Sequence, residues 1–322
     1  MNYATAKDME TGYIPVIDIG PLRDGSDAQR VAEAIHRASR EVGFIYISNH
    51  GIPAALIEET RGAALDFFRL PEAQKLQVEV TSKHRGFLNV GGAKMQDDAM
   101  PDLKESFIWG YEGPEGQALD DHPLRGPNRW PASQPGLRAA ARSYFDAAQD
   151  VARHLMRAAA LGLNLPEEFF LRGHQRPLSR ASMIYYPPQP PRMGAEQFGV
   201  GPHTDFGVLT VLCQDAVGGL QVQDLSGDWV AAPPIEGTLV VNVGDLLARW
   251  TNDQYRSTPH RVVNTSGRER ISLVLAYDPD YPTVIDPRDV CVKGASVAYD
   301  PTTCGDYLIW RFEKAFGYRK RD

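Results

Sequence analysis

Three side chains in the second half of the sequence are of the types that bind a redox-active metal. His203 and Asp205 stand two residues apart in GPHTDFGVLTVLCQD (201–215), and His260 follows in STPHRVVN, 55 residues beyond Asp205 (260 − 205). On a β-strand, residues i and i+2 point to the same face, so the imidazole and the carboxylate could share one ligand set. Two histidines and one carboxylate are the minimal ligands of a facial triad, which holds Fe(II) and leaves coordination positions open.

A second pair with the same spacing, Arg270 and Ser272, begins the apolar stretch RISLVLAYDP. The guanidinium is a fixed fork of donors that pairs with a carboxylate, and the serine hydroxyl adds a donor on the same face. Tyr186 in IYYPP could supply a further phenolic donor. An organic acid could therefore be anchored here by one end and chelate the metal with its other end. A lone His-x-Asp is more commonly a hydrogen-bonded polar pair at a strand end, so the metal interpretation depends on these companions.

The composition predicts a cytoplasmic globular protein that acts on a small molecule. The 322 residues suffice for one large domain or two closely packed ones, and the apolar (43%) and charged (23%) fractions are ordinary. The net charge of −7 argues against a nucleic-acid partner. No apolar run approaches the roughly 20 residues of a membrane span, and the start has no signal-peptide pattern. Three distant cysteines fit a reducing compartment. We expect a monomer.

The elements that must position the site change in character along the chain. Residues 1–130 form an α/β region, and residues 131–175 form a helical spine with a helix from about Leu137 to Leu163. Residues 176–285 contain short β-rich segments separated by Gly, Pro and Asp, the pattern of a sandwich, barrel or jelly roll. Residues 286–322 form a C-terminal segment with a helix from Asp306 to Phe316. The predicted fold class is mainly β with flanking helices.

The motifs together resemble the Fe(II)- and 2-oxoglutarate-dependent dioxygenases of the isopenicillin N synthase-like family, over roughly residues 13 to 285. The motifs are IPVIDIGPL, GFIYISNHGIP, FFRLP, YYPP, HTDFGVLTVLCQD, GGLQVQD, VVNVGDLL, STPHRV and RISLVLAYDP. The resemblance implies a distorted double-stranded β-helix (jelly roll) core. It implies that His203, Asp205 and His260 bind iron, and that the distal carboxylate of 2-oxoglutarate is bound by Arg270, Ser272 and Tyr186. Many plant members have Asn where this chain has Ile184, so one cosubstrate contact is missing or replaced.

The resemblance also implies the reaction: 2-oxoglutarate and O₂ are consumed while a small molecule is hydroxylated, desaturated or cyclised. An oxidase of the isopenicillin N synthase type, which needs no 2-oxo acid, shares the Arg–Ser pair and stays an alternative. Such enzymes carry an iron-binding glutamine near the C-terminus, and CGDYLIWRFEKAFGYRKRD has none. An ethylene- or succinate-forming dioxygenase and a non-catalytic metal-binding β protein are further alternatives.

Other candidate residues have two interpretations each. Lys104, Glu105 and Phe107 in LKESFIWG lie where family members often line the substrate entrance, but they also fit an ordinary alternating strand. Asp245 in NVGDLL is predicted to stabilise a turn and not to bind metal. The remaining histidines are predicted to be structural or solvated: His36, His50, His84, His122, His154 and His174.

Overall fold

The structure is a computed structural model that describes residues 4–9, 13–92, 100–113, 122–189, 194, 196–291 and 294–320. The α-helices are α1 (Gly20–Arg23), α2 (Ala28–Glu41), α3 (Ala54–Phe68), α4 (Glu72–Lys75), α5 (Pro135–Gly162), α6 (Asp245–Trp250) and α7 (Cys304–Ala315). The first strands are β1 (Val16–Asp18), β2 (Phe44–Ser48), β3 (Gly86–Leu88), β4 (Glu105–Gly110), β5 (Arg180–Tyr186), β6 (Val200–His203) and β7 (Leu209–Gln214). The remaining strands are β8 (Leu220–Gln223), β9 (Trp229–Ala231), β10 (Leu239–Val243), β11 (His260–Val262), β12 (Arg270–Tyr277), β13 (Val284–Ile285) and β14 (Thr302–Thr303).

Two sheets enclose the interior in which the candidate site lies. The larger has the strand order β1-β2-β10-β7-β12-β5-β4-β3, and the smaller has the order β6-β11-β8-β9. Apolar side chains of both sheets meet in one buried cluster, which includes Phe44 and Val240 of the larger sheet and Val200, Val222 and Val262 of the smaller. This jelly-roll core confirms the predicted fold class.

The helices cover the outer face of the larger sheet. Helix α5 packs against α2 and α3 and contacts β7 and β12. Its buried stripe includes Leu137, Tyr144, Val151 and Leu155, positions that the sequence pattern assigned to one face. The predicted spine helix is therefore confirmed within two residues at its start and one at its end. None of the described helices is long and apolar enough to cross a membrane.

The N-terminal region contributes directly to the central sheet. Strands β1 to β4 come from residues 1–130 and pair in the same sheet as β5, β7, β10 and β12. For example, β4 pairs with β5 over Glu105–Gly110, and β2 pairs with β10. The division into four regions stays a prediction, but the core of the fold is shared between the first and third of them.

Candidate metal and acid-binding site

The two candidate histidine ligands face each other across neighbouring strands. His203 on β6 pairs directly with His260 on β11, and their ring centroids are 4.3 Å apart. Directly opposed residues of an antiparallel pair lie close enough for their side chains to share a ligand. Residues distant in sequence thus meet because two short strands of the smaller sheet are in this register.

The Asp205 carboxylate lies near the two imidazoles, but not because it shares a strand face with His203. Strand β6 ends at His203, and Asp205 lies in the following loop, so the expectation of a shared strand face is wrong. The loop is held because the backbone N–H of Asp245 donates to the Asp205 carbonyl at 2.7 Å. The Asp205 Oδ1 atom lies 3.8 Å from Nε2 of both His203 and His260.

Hydrogen bonds orient all three side chains toward one point. Nδ1 of His203 donates to the Gly201 carbonyl at 2.8 Å, and Nδ1 of His260 donates to the Thr258 carbonyl at 3.1 Å. Each Nε2 is therefore left with its lone pair free for a metal. Asn242 donates to the second carboxylate oxygen of Asp205 at 2.7 Å, which leaves Oδ1 facing the imidazoles.

The charge states also suit a metal ion. Burial, followed by the neighbouring His260, lowers the pKa of His203 to about 3, so this imidazole is neutral at physiological pH. Burial alone would raise the pKa of Asp205, but His260, His203 and the Asn242 hydrogen bond lower it to about 2. The possible ligand atoms all lie within 4.8 Å of one another. Two imidazoles and one carboxylate, without a thiolate, fit Fe(II) held from one side.

The open side of this cluster faces two cavities, which we call the inner and outer chambers. The inner chamber has a volume of about 90 Å³ and the outer about 150 Å³. Both are lined by the same group of residues around the cluster, namely Lys104, Ile184, His203, Asp205, Thr210 and Val274. A metal at the cluster would therefore be reachable from two directions.

The inner chamber ends at two polar groups with unused hydrogen-bonding capacity. Arg270 and Ser272 lie on the same face of β12, and the arginine is only 1% exposed. Its Nε donates to the Gly218 carbonyl, and its Nη2 lies 3.5 Å from the Gln214 side-chain oxygen. Within the described part of the chain, Arg270 Nη1 and Ser272 Oγ are buried without a hydrogen-bond partner. A buried donor left in this state costs about 1–3 kcal/mol, so an acid that accepts from both would be favoured.

The glycine pair of GGLQV is a turn that places one of these partners. Gly218 and Gly219 have φ values of +78° and +96°. A Cβ on Gly219 would lie 2.6 Å from the Val263 carbonyl oxygen, so no larger residue fits this turn without a shift. The turn brings the Gly218 carbonyl to Arg270.

Tyr186 and Ile184 line the inner chamber beside the arginine. Tyr186 pairs with Arg270 across β5 and β12, and the Arg270 guanidinium lies over its ring at 4.5 Å from the centroid. The observed contact is thus with the ring face, and the phenolic donor role stays a prediction. Ile184 pairs with Ser272 and presents an apolar side chain to both chambers.

The outer chamber contains residues that the sequence interpretation did not assign to the site. Its polar lining includes His84, Lys104, Arg180, Ser106 and Ser182. Its apolar lining comprises Leu88, Ile108, Ile184, Phe206, Val274, Ala276, Phe312 and Phe316. The alternation of residues 180, 182, 184 and 186 on β5 is the signal that could have placed Arg180 on the same face as Tyr186.

The three candidate residues of LKESFIWG lie in different surroundings. Lys104 lines both chambers, as the resemblance to family members suggested. Glu105 turns away and pairs with the buried Lys75 at 2.7 Å, while Phe107 is fully buried in the core. His84, predicted to be structural or solvated, is buried at 3% exposure and borders the outer chamber.

Asp245 stabilises the loop around the metal cluster, in agreement with its predicted turn role. Its carboxylate accepts hydrogen bonds from Ser257 at 2.6 Å and Thr204 at 3.2 Å, and pairs with Arg311 of α7 at 2.7 Å. The Arg311 guanidinium also lies over the Phe206 ring at 4.1 Å. Helix α7 is thereby tied to the loop that carries Asp205.

Two family models match the chain. Residues 14–133 match the non-haem dioxygenase in morphine synthesis N-terminal family, and residues 179–279 match the 2OG-Fe(II) oxygenase superfamily. The second match contains all six residues predicted for the iron and 2-oxoglutarate sites.

Curated relatives and solved structures agree with these matches. The chain is 34% identical to the 2-oxoglutarate-Fe(II) type oxidoreductase hxnY of Emericella nidulans, over 94% of this chain and 90% of the relative. It is 34% identical to a homoarginine-6-hydroxylase of Glycine max, over 86% and 88% of the two chains. A full-length Neurospora crassa protein, solved as a crystal structure in complex with alpha-KG, superposes with a TM-score of 0.84 at 31% identity, over 97% of this chain and 99% of that one.

Proposed function

Because the chain belongs to the 2-oxoglutarate–Fe(II) oxygenase superfamily, we propose that His203, Asp205 and His260 hold its iron and that Arg270 and Ser272 anchor its 2-oxoglutarate. The protein is an oxidoreductase that couples 2-oxoglutarate decarboxylation and O₂ consumption to oxidation of a small molecule. The observation that carries the residue assignment is the pair of unsatisfied buried donors, Arg270 Nη1 and Ser272 Oγ, at the end of a chamber that begins at the histidine–aspartate cluster.

The bound iron and cosubstrate supply the oxidising chemistry: one oxygen atom of O₂ ends in succinate, and the other is available to the substrate as CO₂ leaves. The chain's own residues provide orientation. The imidazoles of His203 and His260 and the carboxylate of Asp205 would hold the metal from one side, and Asn242 keeps the carboxylate turned toward them. Arg270 and Ser272 receive the distal carboxylate, which fixes the direction in which the 2-oxo acid lies. Tyr186, under the guanidinium, restricts that arginine to one position.

Electrostatics explain why the anchor would select a dicarboxylate. A buried guanidinium without a carboxylate is costly, and the described protein groups near Arg270 offer only a carbonyl and an amide oxygen. A second carboxylate on the ligand offsets the charge, whereas a monocarboxylic 2-oxo acid leaves it unpaired. We therefore expect 2-oxoglutarate to be preferred over pyruvate.

Among the possible outcomes, we propose hydroxylation of the substrate. The support is the names of relatives, several of which are homoarginine-6-hydroxylases at 30–34% identity. The isopenicillin N synthase-type alternative differs in needing no 2-oxo acid. It predicts O₂ consumption with substrate in the absence of 2-oxoglutarate, which our proposal excludes.

We also propose that the protein acts as a cytoplasmic monomer and does not bind nucleic acid. The larger exposed apolar side chains come from distant parts of the chain, such as Val16, Leu225 and Trp310. The described cysteines are unpaired, which fits a reducing compartment. Light scattering coupled to gel filtration checks the mass: 35.6 kDa supports the monomer, and about twice that mass overturns it.

The direct test is an anaerobic titration of the Fe(II)-loaded protein with 2-oxoglutarate. We expect a visible metal-to-ligand absorption band and, after addition of air, succinate. Asp205→Ala should lose iron binding and the band. Asp150→Ala, which removes an exposed carboxylate from α5, is the matched control and should retain both. A band of wild-type intensity in Asp205→Ala would refute the ligand assignment, and absence of any band in the wild type would refute the cosubstrate assignment.

A further inference from the structure

The size of the outer chamber limits what can reach the metal cluster from that side. Its volume of about 150 Å³ matches cavities known to accommodate one benzene-sized ring. Phe206, Phe312 and Phe316 supply aromatic walls, and Val274 and Ala276 supply the floor on β12. The described part of the chain thus shapes a space for a single ring or a molecule of similar bulk.

Lys104, which lines both chambers beside the metal cluster, already pairs with a carboxylate. Its Nζ lies 3.1 Å from Asp102 Oδ2, and both side chains are buried, at 9% and 2% exposure. The other Asp102 oxygen accepts the Gly201 backbone N–H at 2.9 Å, so the carboxylate is held in place. The ammonium has three donors, and this pair leaves donors available toward the chamber.

Arg180, the second cation, is compensated in the same way. Its Nη1 donates to Asp278 Oδ2 at 2.6 Å, and the aspartate is fully buried. The other Asp278 oxygen accepts the Val208 N–H at 2.9 Å, and Gly207 permits this approach because a Cβ there would lie 2.2 Å from it. The guanidinium lies over the Phe312 ring at 4.6 Å from the centroid. Its fork has five donors, so it too can still donate to a ligand.

His84 adds no charge. Its ring packs against Phe312 and Phe316 at 4.6 and 4.8 Å between centroids. Burial, followed by the neighbouring Arg180, holds its pKa well below the usual value, so the imidazole is neutral. The described lining of the outer chamber therefore offers hydrogen-bond donors from two cations whose charges are already offset.

We infer that the outer chamber selects a neutral, single-ring-sized substrate that carries hydrogen-bond acceptors, and that Asp102 and Asp278 are the residues that determine this preference. An acceptor such as an amide or ring carbonyl can take a hydrogen bond from Lys104 or Arg180 without disturbing either ion pair. A carboxylate would instead compete with Asp102 and Asp278 for Lys104 and Arg180, and the described lining of the outer chamber offers no further lysine or arginine to pair with it. This inference rests on the proposed function, since it presupposes that the substrate approaches iron from this side.

The test compares neutral and anionic molecules built on the same ring. The probes are benzamide with benzoate and furan-2-carboxamide with furan-2-carboxylate, titrated calorimetrically into anaerobic protein loaded with Mn(II) and saturated with 2-oxoglutarate. We expect each carboxamide to bind at least tenfold more tightly than its carboxylate, which corresponds to about 1.4 kcal/mol. Equal affinities, tighter binding of the carboxylates, or no carboxamide binding at millimolar concentration would overturn the inference.

A variant of Asp102 tests whether the charge of the carboxylate determines the preference while the shape of the side chain stays nearly the same. Asp102→Asn keeps an oxygen for the Gly201 N–H but leaves Lys104 without its carboxylate, so the preference for carboxamides should fall at least tenfold. Asp228→Asn is the matched control because it removes the carboxylate of the exposed Asp228–Lys7 pair, which lines neither chamber. An unchanged preference in Asp102→Asn that binds 2-oxoglutarate normally would remove Asp102 from the inference.

The same titration tells the two proposals apart. The 2-oxoglutarate step is recorded first in every sample, and its absence from wild-type protein would contradict the proposed function. Normal 2-oxoglutarate binding without a preference for carboxamides would contradict only the substrate inference.

Discussion

Two arginines occupy opposite ends of one strand pair, and they differ in the charge of their partners. On β5 and β12, Arg180 is paired with Ala276, and Arg270 is paired with Tyr186. Six residues separate the two ends along β5 (186 − 180), about 20 Å at the usual rise per residue. Both guanidinium groups face the interior and lie on an aromatic ring. Arg180 has the carboxylate of Asp278, whereas the partners described for Arg270 are neutral oxygens.

The charge of Arg180 is therefore balanced within the protein, whereas the charge of Arg270 is left to be balanced by a ligand. A buried ion pair needs no further charge, and removing one partner is expensive because the other stays buried and unpaired. Removing a buried cation that has no counterion should have the opposite effect on the stability of the unliganded protein. The substitution removes the free-energy cost of burying the charge, which only a bound ligand would otherwise offset. The two ends should therefore respond oppositely to the same substitution.

The largest effect is expected from Arg180→Met. The substitution leaves Asp278 buried without its cation, which should lower the free energy of unfolding by about 3–5 kcal/mol. Urea unfolding at pH 7.5 measures it. Arg153→Met, at an exposed position of α5, is the control for loss of a positive charge. A loss below 1 kcal/mol would show that the Asp278 pair does not stabilise the outer end.

The second-largest effect is expected from Arg270→Met, at the other end of the strand pair. We expect 2-oxoglutarate affinity to fall at least 100-fold, about 2.7 kcal/mol, since its distal carboxylate loses the guanidinium at the end of the inner chamber. Without the ligand, the thermal midpoint should be equal to or above that of the wild type. Calorimetric titration and thermal unfolding with and without 2-oxoglutarate check both statements. Normal affinity, or severe destabilisation without ligand, would contradict the contrast between the two ends.

A smaller effect is expected at the metal cluster, which lies between the ends. Asn242→Leu keeps a branched side chain with the same number of heavy atoms but removes the hydrogen bond to Asp205 Oδ2. Loss of such a supporting contact commonly weakens metal affinity about 10–100-fold. Competition with a chelator measures the iron affinity. At saturating iron, turnover should be largely retained, and an unchanged iron affinity would show that Asn242 does not orient the carboxylate.

The smallest predicted effect concerns acid stability at the outer end. The pKa of His84 is lowered in the folded protein, so unfolding takes up a proton once the pH falls below the ordinary histidine value of about 6.5. Its contribution is full above that value and is lost progressively as the pH falls. His84→Gln should therefore lose less stability between pH 7.5 and 5.5 than the wild type. The reduction is partial because burial also lowers the pKa of His36, His50, His154 and His174. Urea unfolding at both pH values tests it, and an identical loss would argue against a buried neutral His84.

The residues of the metal cluster and the inner chamber could be predicted from the sequence far better than those of the outer chamber. His203, Asp205, His260, Arg270 and Ser272 have telling residue types, short spacings and a family resemblance, and the structure brings them around one cluster and one chamber. Even so, the strand argument for Asp205 was wrong, because a loop held by a backbone hydrogen bond places it.

The outer end depends on pairings that no local pattern contains. The Arg180–Asp278 pair requires the register of β5 with β12 and a glycine at position 207 that lets the carboxylate approach. The burial of His84 involves Phe312 of α7 and Phe316 just after it, more than 200 residues away in the chain. Such long-range packing carries no signature in a single sequence, whereas strand spacing does.

The position of α7 in the chain has a consequence for synthesis. Among the described residues, the lining of the inner chamber is complete in sequence at Val274, whereas two of the three aromatic residues of the outer chamber, Phe312 and Phe316, follow at least 38 residues later (312 − 274). Chains emerge from the ribosome N-terminus first, and parts that have emerged can begin to fold. A nascent chain can thus acquire its cosubstrate pocket while the side facing the substrate is still open to water. The aromatic enclosure of the outer chamber is therefore completed after the cosubstrate pocket.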